Sequence, residues 1–204
     1  MMDVLATYER PYDPLLPVVC LDEKSLELHD ERDAPLRSRG GVKRDHEYVR
    51  RGTANLFMVT EPKGGRHYVR VTQRRTRKDF AQCLQWLAQK YPDALTIHLV
   101  MDNLNTHNET SLIETYGEQK GRRLWARFTV HYTPKHASWL NQAEIAIGVM
   151  QRCCLGKERS GSLQQVRQRV IPFWRERRQQ RWTIDWKFTT KKANLWIRTF
   201  KSEH

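Results

Sequence analysis

Three acidic residues stand where their types and surroundings could do chemistry. Asp22 closes the short apolar run 18–21 (VVCL), and Asp102 closes the longer run 95–101 (LTIHLVM). Both runs read as buried strands. If the two strands are parallel neighbours, their ends set two carboxylates side by side at one edge of a sheet, where α/β folds place their sites. Such a pair repels unless it is hydrogen-bonded, singly protonated or bridged by a cation. Glu144, inside the stretch 131–156 (HYTPKHASWLNQAEIAIGVMQRCCLG), would add a third carboxylate from a helix packed beside the strands. Three oxygen donors without a thiolate or imidazole cage suit a hard ion, Mg2+ or Mn2+. In a basic protein their natural use is phosphodiester chemistry with two ions, one at the attacking and one at the leaving oxygen. Taken singly, an aspartate at a strand end also serves turns, and a lone helix glutamate is more often a solvated residue.

The elements that must position these residues follow from periodicity. Residues 1–14 read as a lead-in without a strong pattern, and residues 23–51 as a polar, basic loop with a turn at Gly40-Gly41. Residues 53–60 (TANLFMVT) form a second strand, and 62–65 a turn into a hairpin partner at 67–72. Helical spacing then runs from Thr76 to Lys90 and stops at Pro92. A helix begins near Asn108 and ends at Gly117 and Gly121, and 127–132 is a further strand. The Glu144 helix is expected to start at Ser138 as N-cap, with Trp139, Ala143, Ala146, Val149, Met150 and Cys153 on its apolar face. Asn141, Glu144 and Gly148 then share one stripe. Ser162 and Gln165 form a capping-box pattern opening a last helix, which Pro172 is expected to kink or interrupt. The resulting order, strands alternating with helices, predicts an α/β domain with a mixed central sheet flanked by helices. Residues 15–204 make up this domain, with a helical extension at its C-terminal end.

Charge narrows the partners. The 36 Lys and Arg residues outnumber 23 acidic ones, for a net charge of +13. Basic clusters recur at 37–51, 74–78, 122–123 and 175–181, an extended surface suited to a polyanion such as DNA. Arg74, Arg75, Arg77, Lys78, Lys135 and Arg152 are the candidate DNA-binding residues. No apolar run approaches the ~18 residues a membrane span needs, and the N-terminus has no leader pattern, so the reading is cytoplasmic, at the nucleoid. The four cysteines lack C-x-x-C spacing and read as reduced. His98, His131 and His136 do not make a zinc set, because His98 falls within a strand and no cysteine is suitably placed.

Three blocks carry a resemblance: 21–24 (LDEK), 101–107 (MDNLNTH) and 131–144 (HYTPKHASWLNQAE). Together they resemble bacterial insertion-sequence transposases of the mariner superfamily, over about residues 15–195. The resemblance implies an RNase H-like fold, shared with retroviral integrases, and an Asp-Asp-Glu metal site. By position it makes Asp22, Asp102 and Glu144 the ligands of two divalent ions, Mg2+ or Mn2+, with Asn103, His107 and Asn141 in supporting places. It implies cleavage at transposon ends and strand transfer to target DNA, by a homodimer on DNA. Such transposases also carry an N-terminal helix-turn-helix region, and this sequence starts close to its first catalytic strand. The 42 positions from Asp102 to Glu144 exceed the family's usual spacing, with the extra length expected near 117–127. Two other readings stay open: a non-catalytic DNA-binding or assembly fragment, and an RNase H-like structure-specific nuclease.

Overall fold

The computed structural model describes residues 1–31, 36–38, 41–43, 48–156 and 159–202. Its centre is a five-stranded mixed sheet built from β1 (Val18–Glu31), β4 (Tyr48–Glu61), β5 (Arg66–Thr72), β6 (Ile97–Met101) and β7 (Phe128–Tyr132). The strand order is β5-β4-β1-β6-β7. Strands β4 and β5 pair antiparallel in the expected hairpin, and β1 pairs antiparallel with β4. On its other edge β1 runs parallel to β6, and β6 runs parallel to β7. A separate two-stranded ribbon joins β2 (Leu36–Ser38) to β3 (Gly41–Lys43).

Alternation along the strands divides the core between two faces. Leu21, Phe57, Val59, Leu99 and Met101 pack against α2 (Arg77–Ala88) through Phe80, Leu84 and Leu87, and against α3 (Glu109–Tyr116) through Leu112. Helix α2 begins with a reciprocal box in which the Thr76 hydroxyl accepts from Asp79 N and the Asp79 carboxylate accepts from Thr76 N. The opposite face carries Leu56 and Met58, covered by α5 (Ala143–Met150) and α6 (Leu163–Gln179) through Ala146, Met150, Val166, Val170 and Trp174. Residues 1–14 contain α1 (Met2–Glu9), whose Val4, Leu5 and Tyr8 are buried with Cys20, Val100 and Leu140. Near the end of the chain, α7 (Thr190–Ser202) places Ala193 in the same cluster.

Several expectations are corrected. Residues 23–31 are not a loop: β1 continues through them, because Leu26 and Leu28 alternate with polar neighbours and pair with Ala54 and Gly52 of β4. Asp22 therefore lies inside β1, not at its end. Of the turn expected at Gly40-Gly41, Gly40 lies outside the described residues, as does part of the 37–51 basic cluster. Gly121 does not end a helix. Gly117 separates α3 from α4 (Glu118–Trp125), and Gly121 lies within α4, where a β-carbon would stand 2.7 Å from backbone atoms of Ile113. Its missing side chain is what lets α3 and α4 touch. Pro172 does not interrupt α6.

The stretch before Glu144 differs most. Ser138 caps nothing: residues Ser138–Leu140 form a single 3-10 turn, and α5 starts only at Ala143. Trp139 is 49% exposed, meeting Phe188 edge-on at 5.2 Å, and is not core. Beyond Met150 the helix widens to a π turn over Gln151–Leu155, which rotates Cys153 out to solvent and turns Leu155 inward.

Candidate active site

Strand β1 outruns β6. Their parallel register ends at Cys20 opposite Val100, so the next positions set Leu21 beside Met101 and Asp22 beside Asp102. Leu21 and Met101 face α2, so alternation turns Asp22 to the α5 side, while Asp102 stands one residue past the end of β6. Burial pushes the Asp22 carboxyl up to about 7. A hydrogen bond from Glu23 N, 2.7 Å from Oδ1, works against this, while the negative charges of Glu144, Asp102 and Glu23 add to the rise. The three carboxylates singled out in the sequence thus face one electrostatic locus, with Glu144 exposed at its outer side.

Glu144 is set by the first turn of α5, and that turn is tied to β1. The Asn141 side chain, 1% exposed, donates to Leu21 O at 2.8 Å and accepts from Ala143 N at 3.2 Å. Glu144 N in turn donates to Asn141 O at 3.1 Å. Asn141 therefore joins the backbone beside Asp22 to the helix carrying Glu144. From α1, the Tyr8 hydroxyl donates to Leu140 O at 2.8 Å and fixes the preceding turn.

Asp102 is held by His107, which is 1% exposed and stacks on Phe80 with ring centroids 4.6 Å apart. His107 Nδ1 donates to Asp102 O at 3.0 Å and lies 2.6 Å from Asp102 Oδ1. The Nδ1 proton is shared between the carbonyl and the carboxylate of Asp102. The other ring nitrogen, Nε2, lies 3.1 Å from Glu23 Oε1. Burial alone would lower the basicity of His107, but hydrogen bonds and charge from Asp102 and Glu23 outweigh it and raise its pKa to about 9. At neutral pH His107 is a cation between two carboxylates. Glu23 was missed in the sequence because 23–51 reads as a loop, whereas Glu23 continues β1 on the face opposite Asp22. The available signal was its place in the block 21–24, directly after Asp22.

The remaining candidates are placed unevenly. Asn103 is exposed at the start of the loop after β6. Arg75 reaches inward, 3.9 Å from Glu23 Oε2, whereas Arg77 pairs with Glu114 at 2.6 Å. Arg74, Lys78 and Lys135 are exposed. Arg152 folds back over Gly148, its Nη1 3.3 Å from where a β-carbon on that glycine would stand, on the helix stripe that carries Glu144. His98 and His131 belong elsewhere, in a chain described below.

As the side chains stand, no group of three or more His, Cys, Asp or Glu among the described residues closes on an ion. The donor set nevertheless fits a divalent cation in kind. It is all carboxylate and it repels itself.

A family model described as DDE superfamily endonuclease matches residues 17–167. No curated protein sequence matches the chain. Among solved structures, the Mos1 mariner paired end complex with Mn superposes with a TM-score of 0.56 at 14% identity, over 88% of this chain and 54% of that one. The Mos1 strand transfer complex gives a TM-score of 0.53 at 16% identity, over 88% and 56%. The Mos1 paired end complex with Mg gives 0.53 at 16% identity, over 88% and 57%. The chain spans a little over half the length of these proteins, and at such identities the likeness is one of fold: the mixed α/β, RNase H-like core of the Mos1 catalytic domain.

Proposed function

Since the chain belongs to the DDE superfamily endonucleases, we propose that it is the catalytic domain of a DNA transposase. The reaction is divalent-metal-dependent hydrolysis of a DNA phosphodiester at the end of an element, followed by attack of the freed 3′-hydroxyl on target DNA. The observation that supports this reading is that Asp22 and Asp102 each stand two residues beyond the last parallel pair, Cys20 and Val100, and that the charges of Glu144 and Asp102 both act on the buried Asp22 carboxyl.

Asp22, Asp102 and Glu144 would hold two ions, Mg2+ or Mn2+. A bound divalent ion supplies Lewis-acid polarisation of the phosphodiester and neutralises the charge that develops on its oxygens. The protein's own residues do the rest. His107 fixes the orientation of Asp102, Glu23 fixes that of His107, and Asn141 keeps Glu144 in register with Asp22. Exposed Arg74, Lys78, Lys135 and Arg152, with Arg75 at the rim, offer phosphate contacts that position DNA without reading its sequence. The Mos1 complexes are described as paired end and strand transfer assemblies. By analogy the partners here are transposon ends and target DNA, engaged by a homodimer in the bacterial cytoplasm at the nucleoid. Among the described residues no helix is long and apolar enough to cross a membrane. One observation favours the alternative of a non-catalytic assembly fragment: the three carboxylates do not close on an ion as they stand.

The test is cleavage and joining of a DNA duplex in Mg2+. Asp102→Asn is expected to lower both by roughly 10³-fold or more, the scale of several kcal/mol of lost charge stabilisation. Equal activity in Asp102→Asn and wild type would overturn the reading. Cleavage without joining of a precut end would point instead to a structure-specific nuclease.

A further inference from the structure

Helix α1 lies against the residues that stand two places before each of the three carboxylates. Its Val4, Leu5 and Tyr8 are buried with Cys20 and Val100, which precede Asp22 and Asp102 by two residues. Alternation puts Cys20 and Asp22 on one face of β1, so α1 covers the face that carries the site. The Tyr8 hydroxyl donates to Leu140 O at 2.8 Å and accepts at 3.4 Å from the backbone N of Gln142, two residues before Glu144. Cys20 Sγ lies 3.3 Å from the same hydroxyl oxygen. Because the Tyr8 proton goes to Leu140, the thiol is the donor in that contact. Tyr8, Cys20, Leu140 and Gln142 are all at most 6% exposed.

Two of the three separations in the site have direct ties. Parallel pairing of β1 with β6, ending two residues earlier, sets Asp22 beside Asp102, and the Asn141 bond to Leu21 O sets Glu144 against Asp22. Helix α1 spans the third. Asp3 Oδ2 and Thr7 Oγ1 lie 2.7 and 3.4 Å from His131 Nδ1, and His131 Nε2 lies 3.0 Å from His98 Nδ1. His98 belongs to β6, the strand that leads to Asp102, while Tyr8 holds the turn that leads to Glu144. One short helix thus connects the two. Burial, and then the neighbouring Cys20, push the Tyr8 pKa upward, so the hydroxyl keeps its proton and remains a donor.

We propose that α1 is the floor of the active site and that Tyr8 is a positioning residue, holding the Glu144 turn in register with Asp102. Tyr8 acts through the backbone of residues 140 and 142, not by touching DNA. The inference rests on the proposed role of Asp22, Asp102 and Glu144 as metal ligands. Without the hydroxyl, a carbonyl, an amide N–H and a thiol lose their common partner, and the first turn of α5 is free to shift. Misplacement by about 1 Å, caused at a distance, can lower a rate by about 10²-fold.

The experiment compares wild type with Tyr8→Phe and with Tyr12→Phe, which removes an exposed hydroxyl, under conditions where urea unfolding shows all three folded. Tyr8→Phe is expected to lower kcat for cleavage of a DNA duplex about tenfold at unchanged KM, and to weaken calorimetric Mn2+ binding about threefold. In a Glu144→Gln background it should weaken Mn2+ binding no further, because both changes act on the same ligand. Tyr12→Phe should alter neither quantity. Loss of stability alone, with kcat and Mn2+ affinity unchanged, would make Tyr8 a merely structural residue and overturn the proposal. An equal further loss of Mn2+ affinity in the Glu144→Gln background would overturn it too. If wild type binds no Mn2+, or Glu144→Gln binds it as tightly as wild type, the ligand assignment itself fails and this inference with it. Should Tyr8→Phe not fold, His131→Gln, which loosens the other end of α1, decides: about a threefold fall in kcat at unchanged KM supports the proposal, and an unchanged kcat overturns it.

Discussion

The sheet carries two imidazole clusters, and they sit in opposite electrostatic settings. At the ends of β1 and β6, His107 lies between the carboxylates of Glu23 and Asp102, which raise its pKa to about 9. On the α1 side of β6 and β7, Arg10 Nη1 lies 2.6 Å from His98 Nε2, His98 Nδ1 lies 3.0 Å from His131 Nε2, and His131 Nδ1 lies 2.7 Å from Asp3 Oδ2. Because Arg10 can only donate, one run of donors fits the second chain: Arg10 to His98, His98 to His131, His131 to Asp3. Burial, then the Arg10 charge and the neighbouring His131, lower the His98 pKa to about 4. The same side chain thus serves as a buried cation that fixes an acid in one place, and as a neutral connector that pins a helix to the sheet in the other. What differs is the sign of the neighbours, not the burial, since both imidazoles are at most 5% exposed.

The largest way to break this comparison is to remove one imidazole from each cluster. His107→Ala leaves the buried Glu23 carboxylate with only the half-exposed Arg75, 3.9 Å away, and is expected to lower stability by about 3 kcal/mol in urea unfolding. His131→Ala removes a connector whose partner Asp3 is largely exposed, and is expected to cost about 1–3 kcal/mol. Equal losses would mean that His107 is not ionised.

A second contrast is the pH dependence of stability in the metal-free protein. For His107 the folded state holds its proton more tightly than an ordinary histidine. Its contribution is complete below about 6.5 and is lost as pH rises towards about 9. For His98 the folded state excludes the proton that the unfolded chain takes up, so stability is lost as pH falls from about 6.5 towards about 4. His107→Gln should flatten the alkaline limb and His98→Gln the acid limb, measured by thermal unfolding across the range. The smallest effect is expected from Arg10→Met. Removing an exposed cation should change stability at neutral pH by no more than about 1 kcal/mol, yet shorten the acid limb, which still begins near 6.5 but levels off at a higher pH. An unmoved limb would show that burial alone sets His98.

Both aspartates were legible because each follows a largely apolar run, a signal that needs no tertiary information. Glu144 rested on the motif around it. The helix that presents it was misread because a contact distant in sequence sets its start. Asn141 reaches Leu21, and that bond keeps residue 141 extended, so Ser138 cannot begin the helix. The π turn that exposes Cys153 breaks the 3.6-residue spacing from which a buried face was inferred. The length of β1 was hidden for another reason. Its outer half is polar, and only pairing with β4 makes it a strand. Helix α1 is short, and its Val4, Leu5 and Tyr8 acquire meaning only from the sheet face they cover.

The measurement that bears most directly on the site is a calorimetric Mn2+ titration with and without a short DNA duplex. It compares wild type with Asp22→Asn, Asp102→Asn and Glu144→Gln. Saturable binding by the wild type, abolished in both aspartate variants and weakened in Glu144→Gln, is the predicted result. Undiminished binding by Asp102→Asn, or no binding by the wild type even on DNA, would contradict it.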